Sequence, residues 1–283
     1  MNFCRLLCNQ VAELMYMTQS HDNCKIIVIT SGKGGVGKTT TTANLGAGLA
    51  MKGYKVALTD TDTGLRNLDL LLGLENRIMY DLVDVTSGRV PYKKALVRHK
   101  KYEHLFLLPT SQIKDKLAVS PEQVTALCQE MSSEFDFILI DCPAGIEQGF
   151  KTAVAAADIA LIVTMPEISA VRDADKIIGE LMRAGKENIL LIVNRIRPAM
   201  VEKGEMLDLD DINDILAIKC IGQIPDDEAV VTSTNRGEPV IANEKSMAGK
   251  AYANITRRLC GENVPFMDLH VKESFFDKLR KLF

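Results

Sequence analysis

The sequence lacks the long apolar run of a membrane-spanning helix, because no stretch approaches the ~20 apolar residues needed to cross a bilayer. Residues 1–17 contain Arg5, Gln10 and Glu13 and lack the pattern of a cleavable signal peptide. We therefore expect a cytoplasmic protein, unless a peripheral segment attaches it to the cytoplasmic face of the inner membrane.

Cysteine pairs and an excess of basic residues are also missing. The seven cysteines are scattered and include no Cys-x-x-Cys pair, which argues against a disulfide framework or an iron–sulfur carrier and favours reduced thiols. The formal net charge is −3 at pH 7, so the chain carries no overall sign of nucleic-acid binding. No specific nucleic-acid partner is expected.

Short apolar strands alternate with helical patterns along most of the chain. This alternation predicts an α/β fold with a doubly wound, mainly parallel sheet and helices on both faces. Strands are predicted at residues 25–30, 55–60, 104–108, 136–141, 159–164, 189–194 and 220–224. Helices are predicted at residues 38–52, 78–86, 120–133, 148–157, 169–184, 208–217 and 246–260.

Three segments are expected along the chain. Residues 24–265 form the predicted phosphate-binding-loop domain, because neither an internal repeat nor a low-complexity linker divides them. Residues 1–23 precede the first strand as an extension. It is a short helix, a tail of little consequence, or a segment most of which is absent because translation starts at Met17. Residues 268–283 form the predicted C-terminal amphipathic helix.

Residues 32–39 read Gly-Lys-Gly-Gly-Val-Gly-Lys-Thr, between an apolar run and a helical pattern. This is a phosphate-binding loop, whose glycines let backbone N–H groups point at an anion. Lys38 is predicted to reach the outer phosphates and Thr39 to offer its hydroxyl to Mg²⁺. A loop that folds over its own nucleotide needs one lysine, so the second one, Lys33, suggests that the active unit contains two chains. The predicted phosphate contacts come from Lys33, Gly34, Gly35, Val36, Gly37, Lys38, Thr39 and Thr40.

Acidic residues follow two of the predicted strands. Asp60 and Asp62 come after the apolar run near residue 58, and Asp141 ends the run 137–140. Ligands of open α/β sheets bind beyond these strand ends, and a nucleotide triphosphatase needs carboxylates there for its metal shell and its water. We favour Asp62 as the residue near the attacking water and Asp60 as its support.

These motifs resemble the SIMIBI-class ATPases with a deviant phosphate loop, and within them the MinD family of septum-site-determining ATPases. The resemblance extends over about residues 25–283. Four further stretches carry it, at residues 64–69, 79–83, 141–147 and 171–175. Thr63 and Cys142 depart from the usual family pattern by small changes, and residues 1–23 are the larger anomaly.

The resemblance implies an ATPase that uses ATP and Mg²⁺ and forms a sandwich dimer when ATP is bound. Lys33 would then reach the partner subunit's nucleotide, and Thr39, Asp62 and Asp141 would serve the metal, the acids through water. The expected catalytic residues are Lys33, Asp60, Asp62 and Asp141. Asn194 matches the asparagine that reads adenine, and Pro225 and Asp226 match the loop that lines the base.

The resemblance also implies partners. The division inhibitor MinC would be recruited to the membrane, and MinE would stimulate hydrolysis and so release the protein, which places the division septum. The partner surface would be formed by Arg66, Asn67, Arg172, Asp173 and Asp175.

The last residues carry an apolar stripe at helical spacing. Phe275, Phe276, Leu279, Leu282 and Phe283 fall on one side, and Lys278 and Arg280 flank them. An ordinary terminal helix packed on the core is the alternative. Three phenylalanines with a basic rim favour an interfacial helix on an anionic phospholipid surface, and the stretch resembles the membrane-targeting tail of the MinD family.

Two other functions stay open on the sequence. A flagellar-number ATPase like FlhG shares the deviant loop, the C-terminal anchor and an N-terminal extension. A ParA-like DNA-partitioning ATPase would need a basic surface on its dimer, and the clearest basic cluster of this chain lies at its tail.

Overall fold

The computed structural model describes residues 24–61, 67–111 and 119–269. These residues form an eight-stranded sheet in the order β3-β4-β2-β5-β1-β6-β7-β8. The strands are β1 Lys25–Thr30, β2 Val56–Asp60, β3 Val97–Arg98, β4 Leu105–Leu108, β5 Phe137–Asp141, β6 Ile159–Thr164, β7 Ile189–Ile196 and β8 Lys219–Pro225. All neighbouring strands are parallel except β3 and β4, so the predicted doubly wound, mainly parallel sheet is confirmed.

Helices cover both faces of the sheet. They are α1 Lys38–Met51, α2 Leu68–Leu71, α3 Leu82–Thr86, α4 Tyr92–Ala95, α5 Pro121–Met131, α6 Gln148–Ala155, α7 Ile168–Arg183, α8 Pro198–Glu202, α9 Leu209–Leu216, α10 Glu228–Asn235 and α11 Met247–Leu259. Two short 3₁₀ turns lie at Glu75–Arg77 and Val240–Ala242.

The central strands are buried on both sides, which explains their continuous apolar runs. Alternate residues of β1 point to opposite faces: Val28 belongs to the core beneath α5, α6, α7 and α9, and Ile27 to the core beneath α1 and α11. The parallel strands all point the same way, so the sheet has a carboxyl edge, where they end, and an amino edge, where they begin.

Most predicted elements agree with the structure within about two residues at each end. The helix expected at residues 78–86 begins only at Leu82, because Asp81 is its N-cap and forms a capping box with Asp84. The helix expected at residues 120–133 begins with Ser120 as its N-cap, whose hydroxyl accepts the Gln123 N–H. Sequence patterns gave no prediction of β3, α2, α4, α8 and α10.

The five cysteines in the described part of the chain are free thiols, as expected. Burial raises the pKa of Cys24 and of Cys128 to about 12, so both thiols are protonated at neutral pH. Within the described ranges no helix is long and apolar enough to cross a membrane. The predicted extension at residues 1–23 and nearly all of the predicted tail helix lie outside the described residues.

Candidate functional site

The sequence motifs lie at the centre of the carboxyl edge of the sheet. The chain leaves β1 in one direction to form β2 and later leaves β5 in the other direction to form β6, so the strand order reverses beside β1. Such a reversal opens a crevice at the carboxyl ends of the strands, where ligands of α/β proteins bind. The predicted phosphate loop follows β1 and therefore lies in this crevice.

The loop has the backbone that its glycines predict. Gly35 and Gly37 adopt positive φ angles of 78° and 101°, which residues with a side chain rarely adopt. A Cβ atom at Gly34 or Gly35 would point into open space. The hydroxyl of Ser31 donates to the Lys33 carbonyl at 2.8 Å and holds the first turn of the loop. The loop thus presents its backbone to a ligand on one side.

Helix α1 begins at the end of this loop. Its N-cap is Gly37, which has no side chain to satisfy the first N–H groups of the helix. Unsatisfied N–H groups at a helix N-terminus attract anions. Lys38 is buried in the first turn, and Thr39 and Thr40 are half-buried beside it. The residues present therefore fit a phosphate group with a metal ion at the threonine hydroxyl.

Two of the predicted acids are held side by side. Asp60 ends β2 and Asp141 ends β5, and the two residues are directly paired in the ladder. Both are 2% exposed. The Thr42 hydroxyl shares its one proton between the Lys38 carbonyl at 3.0 Å and Asp141 Oδ1 at 3.2 Å, and the Thr61 hydroxyl donates to the Asp141 carbonyl at 2.8 Å. The strand register and these two threonines fix the carboxylates at the crevice.

Asn194 and the loop after β8 lie beside the phosphate loop. The Asn194 side-chain amide donates to the Val36 carbonyl at 2.8 Å. A Cβ atom at Gly37 would stand 2.4 Å from the same amide nitrogen. Pro225 is paired with Ile196 at the ends of β8 and β7, which places it at the same edge. The structure thus places Asn194 against the predicted phosphate loop and Pro225 at the same edge of the sheet.

The segment that follows Pro225 is held by ion pairing and capping. Asp226 is exposed, and its carboxylate accepts Arg197 Nε at 2.7 Å. Asp227 caps α10 and also accepts the Ser246 hydroxyl at 2.7 Å. Partial burial opposes its ionisation, but the hydrogen bonds from Ser246 and from backbone N–H groups prevail and lower the pKa of Asp227.

Lys33 lies on the rim of the loop, with its side chain 42% exposed. Its ammonium group is 3.4 Å from Glu167 Oε2 and 3.5 Å from the Ser169 hydroxyl, at the start of α7. Two large apolar side chains are exposed nearby. Ile168 follows Glu167 directly, and Ile146 follows Gly145, whose N–H donates to the Ser31 carbonyl.

Helix α7 also touches the phosphate loop directly. A Cβ atom at Gly32 would lie 2.3 Å from the Asp173 carbonyl oxygen, so only glycine fits between the loop and this helix. Asp173 is half-buried and accepts Lys176 at 3.0 Å, while Arg172 and Asp175 are exposed on the same helix. Asn67, another predicted partner residue, is exposed at the N-cap of α2.

Several predicted site residues cannot be placed. Asp62, Arg66 and the membrane residues Phe275, Phe276, Lys278, Leu279, Arg280, Leu282 and Phe283 lie outside the described residues. Among the residues that the structure does describe, no group of three His, Cys, Asp or Glu side chains could hold a metal ion. A metal site built from one threonine and water-mediated carboxylates does not require such a group.

Sequence reasoning missed the residues that support the site. Thr42, Thr61, Glu167 and Arg197 contact the predicted residues but belong to none of the motifs. Thr42 follows Thr39 by three positions on α1, so helical spacing could have indicated that it faces the same side. The other three contacts depend on how separate loops meet.

Comparisons with known proteins agree with this geometry. A family model described as the CobQ/CobB/MinD/ParA nucleotide binding domain matches residues 27–240. The septum site-determining protein MinD of Synechocystis sp. is 55% identical over 245 residues, which are 86% of this chain and 92% of that protein.

Two solved structures are similar over most of the chain. A chain of the MinC:MinD cell division protein complex of Aquifex aeolicus has 51% identity and a TM-score of 0.81, over 86% of this chain and 98% of that one. The MinD protein of Pyrococcus horikoshii, complexed with Mg-ADP, has 30% identity and a TM-score of 0.76, over 83% and 96% of the two chains. This chain therefore belongs to the MinD family of septum site-determining proteins, within the CobQ/CobB/MinD/ParA group of nucleotide-binding domains.

Proposed function

We propose that the protein is an Mg²⁺-dependent ATPase of cell division that hydrolyses ATP to ADP and phosphate and dimerises when ATP is bound. Its C-terminal helix attaches the dimer to the cytoplasmic face of the inner membrane, where the dimer recruits MinC. MinE stimulates hydrolysis and thereby releases the protein. The observation that carries the proposal is the second lysine of the phosphate loop, at the exposed rim of the nucleotide crevice.

Nucleotide binding follows from the loop and its neighbours. The backbone N–H groups of the loop and of the first turn of α1 bind the phosphates, and Lys38 neutralises them. Asn194 and the segment Pro225–Asp226 read the adenine. The Thr39 hydroxyl and, through water, Asp62 and Asp141 would hold Mg²⁺, which when bound neutralises charge on the phosphates.

The carboxylates serve hydrolysis. Asp62 orients the attacking water in line with the terminal phosphate, and Asp60 supports this segment from the end of β2. Because Asp60 is buried and paired in register with Asp141, the strand ladder sets the distance between the two acids. The protein's main contribution is thus the positioning of the water and of the phosphates.

Dimerisation assigns Lys33 to the partner subunit's nucleotide. In one chain its contacts with Glu167 and Ser169 are long and solvent-exposed, and an exposed ion pair of this kind contributes little, about 0–1 kcal/mol. A phosphate group in a closed interface is therefore a better partner for this lysine. The exposed Ile146 and Ile168 would be buried in the same interface.

The membrane and partner functions are proposed for the ends of the chain and for helix α7. The predicted amphipathic helix at residues 268–283 is a weak anchor alone, and a dimer holds two such anchors at high effective concentration. MinC and MinE would bind near Arg66, Asn67, Arg172, Asp173 and Asp175. The extension at residues 1–23 is assigned no part in this cycle, and residues 24–265 act as one ATPase domain.

Liposome sedimentation tests the proposal. With vesicles that contain anionic phospholipid, we expect the wild type to pellet with ATP and to stay in the supernatant with ADP. Lys33→Ala should remain monomeric by size-exclusion chromatography with light scattering and should not pellet with ATP. Lys52→Ala is the matched control, because Lys52 also makes an exposed ion pair, with Glu262, but lies outside the site. Equal pelleting with both nucleotides would disprove the proposal.

A further inference from the structure

An apolar groove lies beside the last described residues of the chain. Its volume is about 230 Å³, and it is bounded by α8, α9 and the carboxyl halves of β7 and β8. Val201, Leu207 and Ile212 line it on the helix side, and Val193 and Ile196 line it on the sheet side. These residues belong to the sheet face that α7 and α9 cover, whereas α1 and the phosphate loop cover the other face. The groove is therefore separate from the nucleotide crevice.

The C-terminal chain runs into this groove. After α11 it follows the edge strand β8, where the Arg258 guanidinium donates to the carbonyls of Val264 and Ile221, each at 2.9 Å. Met267 and Leu269 then line the groove and are half-buried. Leu269 is the last described residue, so residues 270–283 begin at the groove itself.

The described residues leave part of the groove's apolar surface uncovered. Val201, Leu207 and Leu209 line it and are only half-buried. An apolar surface of this kind gains free energy when another apolar face covers it. A cavity of ~150 Å³ holds a benzene molecule, so the groove has room for one phenyl ring and part of a neighbouring side chain.

The predicted tail helix carries such a ring close to the groove. Phe275 follows Leu269 by six positions and belongs to the apolar stripe of the tail. Six residues span about 20 Å when extended and about 9 Å in a helix. A group on so short a tether has an effective concentration in the millimolar range, so the tail has an advantage over any free partner.

The charges favour the same occupant. Asp208 and Asp268 line the groove, and none of its described lining residues is basic. Residues 270–283 contain four basic and two acidic residues, and Lys278 and Arg280 flank the apolar stripe. An apolar groove with acidic residues thus faces an apolar stripe with basic ones, which is the complementarity that steers two surfaces together.

We propose that the groove binds the C-terminal segment of the same chain, residues 270–283, with the Phe275 ring packed against Val201. The apolar stripe cannot lie in the groove and on a lipid surface at the same time, so docking competes with membrane attachment. A single chain is then held off the membrane by its own groove. This last consequence rests on the proposed membrane function, whereas the docking itself does not.

Tryptophan fluorescence of the full-length protein tests the docking. The chain contains no tryptophan, so Phe275→Trp introduces a single reporter into the tail. We expect this protein, with Mg-ADP and without lipid, to emit at a shorter wavelength than a peptide of residues 270–283 with the same substitution. Acrylamide should also quench the protein less than the peptide. The emission should not depend on protein concentration, because docking within one chain is unimolecular.

Val201→Lys, added to the reporter protein, tests the groove as the site. The lysine places a positive charge against the ring and the basic tail, and we expect the ratio of docked to free tail to fall about tenfold or more. Ile215→Lys is the matched control, because Ile215 is 52% exposed on α9 and does not line the groove. The control should keep the emission of the reporter protein. Neither side chain belongs to the buried core, so both variants should unfold cooperatively near the melting temperature of the reporter protein.

Three outcomes would overturn the docking. The first is a reporter protein that emits and is quenched like the free peptide. The second is Val201→Lys with the emission of the reporter protein. The third is a shift that grows with protein concentration, because the groove would then hold the tail of a second copy.

Sedimentation with vesicles that contain anionic phospholipid tests the competition. With ADP we expect Val201→Lys to pellet more than the wild type and Ile215→Lys to pellet as the wild type does. Equal pelleting of the three proteins with ADP, where the wild type pellets with ATP, would overturn the competition. Failure of the proposed function is distinguishable, since no protein would then pellet with ATP and the emission spectra without lipid would be unchanged.

Discussion

At the carboxyl edge Asp141 is buried and accepts a hydroxyl from Thr42, whereas at the amino edge Tyr102 is buried and its hydroxyl has no partner among the described residues. Both edges are built from turns whose glycines have positive φ angles. The difference lies in how the polar side chains behind these turns are satisfied.

The comparison separates a prepared binding site from an unsatisfied polar group in the interior. At the carboxyl edge the protein holds its functional groups with its own hydrogen bonds, so their positions are set before a ligand arrives. At the amino edge the Tyr102 hydroxyl stays unpaired inside the fold, which lowers stability and offers nothing to a ligand. Substitutions can test each side of this contrast.

The largest effect is expected from Gly32→Ala, which disturbs the packing of the phosphate loop at the carboxyl edge. The new Cβ atom would lie 2.3 Å from the Asp173 backbone oxygen, so the loop and α7 must separate. We expect the free energy of unfolding without nucleotide to fall by about 3 kcal/mol. Urea denaturation measures this change.

Gly34→Ala is the control for this prediction. Its Cβ atom meets nothing within 4 Å, so the free energy of unfolding should change by less than about 1 kcal/mol. Equal losses in the two variants would show that the loop is not held against α7.

A smaller effect is expected from Thr42→Val, which removes one donor from the buried Asp141 carboxylate. The expected loss of stability is about 1 kcal/mol, because the buried carboxyl group then loses its share of one hydroxyl proton. Thr125→Val is the control, since the Thr125 hydroxyl donates to the carbonyl one turn earlier, and the Thr42 hydroxyl shares its proton between such a carbonyl and Asp141. Urea denaturation should separate the two variants, and equal losses would mean that the bond to Asp141 adds nothing.

The smallest effect concerns Glu134, a polar group of the amino edge that does have partners. Hydrogen bonds from Lys93 and Tyr92 lower the pKa of Glu134 to about 2. The unfolded chain binds the proton more tightly, so this stabilisation is complete above about pH 4.5 and is lost as the pH falls towards 2. Since the carboxylate is partly exposed, we expect less than about 1 kcal/mol.

Unfolding free energies of Glu134→Gln between pH 2 and pH 7 test this direction of the pH dependence. The variant should be less stable than the wild type at pH 7 and equal to it near pH 2. Glu130→Gln, at an exposed glutamate four residues earlier, should follow the wild type over the whole range. A difference that grows as the pH falls would contradict the prediction.

Sequence patterns predicted which residues lie at the carboxyl edge because most of these residues are neighbours in the sequence. The phosphate loop and the acid at the end of β5 stand in local strand-and-turn patterns, whereas the asparagine in β7 was expected from the family resemblance. The structure brings the three together at this edge. Long helices such as α1 and α7 were predicted within a residue or two for the same reason.

The parts that were missed have no local pattern. Helices α2 and α4 have four residues each, which is too short to show a helical period. Helix α10 has eight residues but none of them is buried, so it lacks an apolar stripe. The bond from Thr42 to Asp141 joins positions 99 residues apart, so no local pattern contains it.

The contact between Gly32 and Asp173 has a mechanical consequence. Close-packed groups cannot be compressed, so a displacement of the loop at Gly32 must displace the backbone of α7 at the adjoining turn. The same turn carries Arg172 and Asp175 on its outer side. A displacement of the phosphate loop therefore also displaces the outer side of the helix. A molecule bound to that side responds to the position of the loop without contacting the nucleotide.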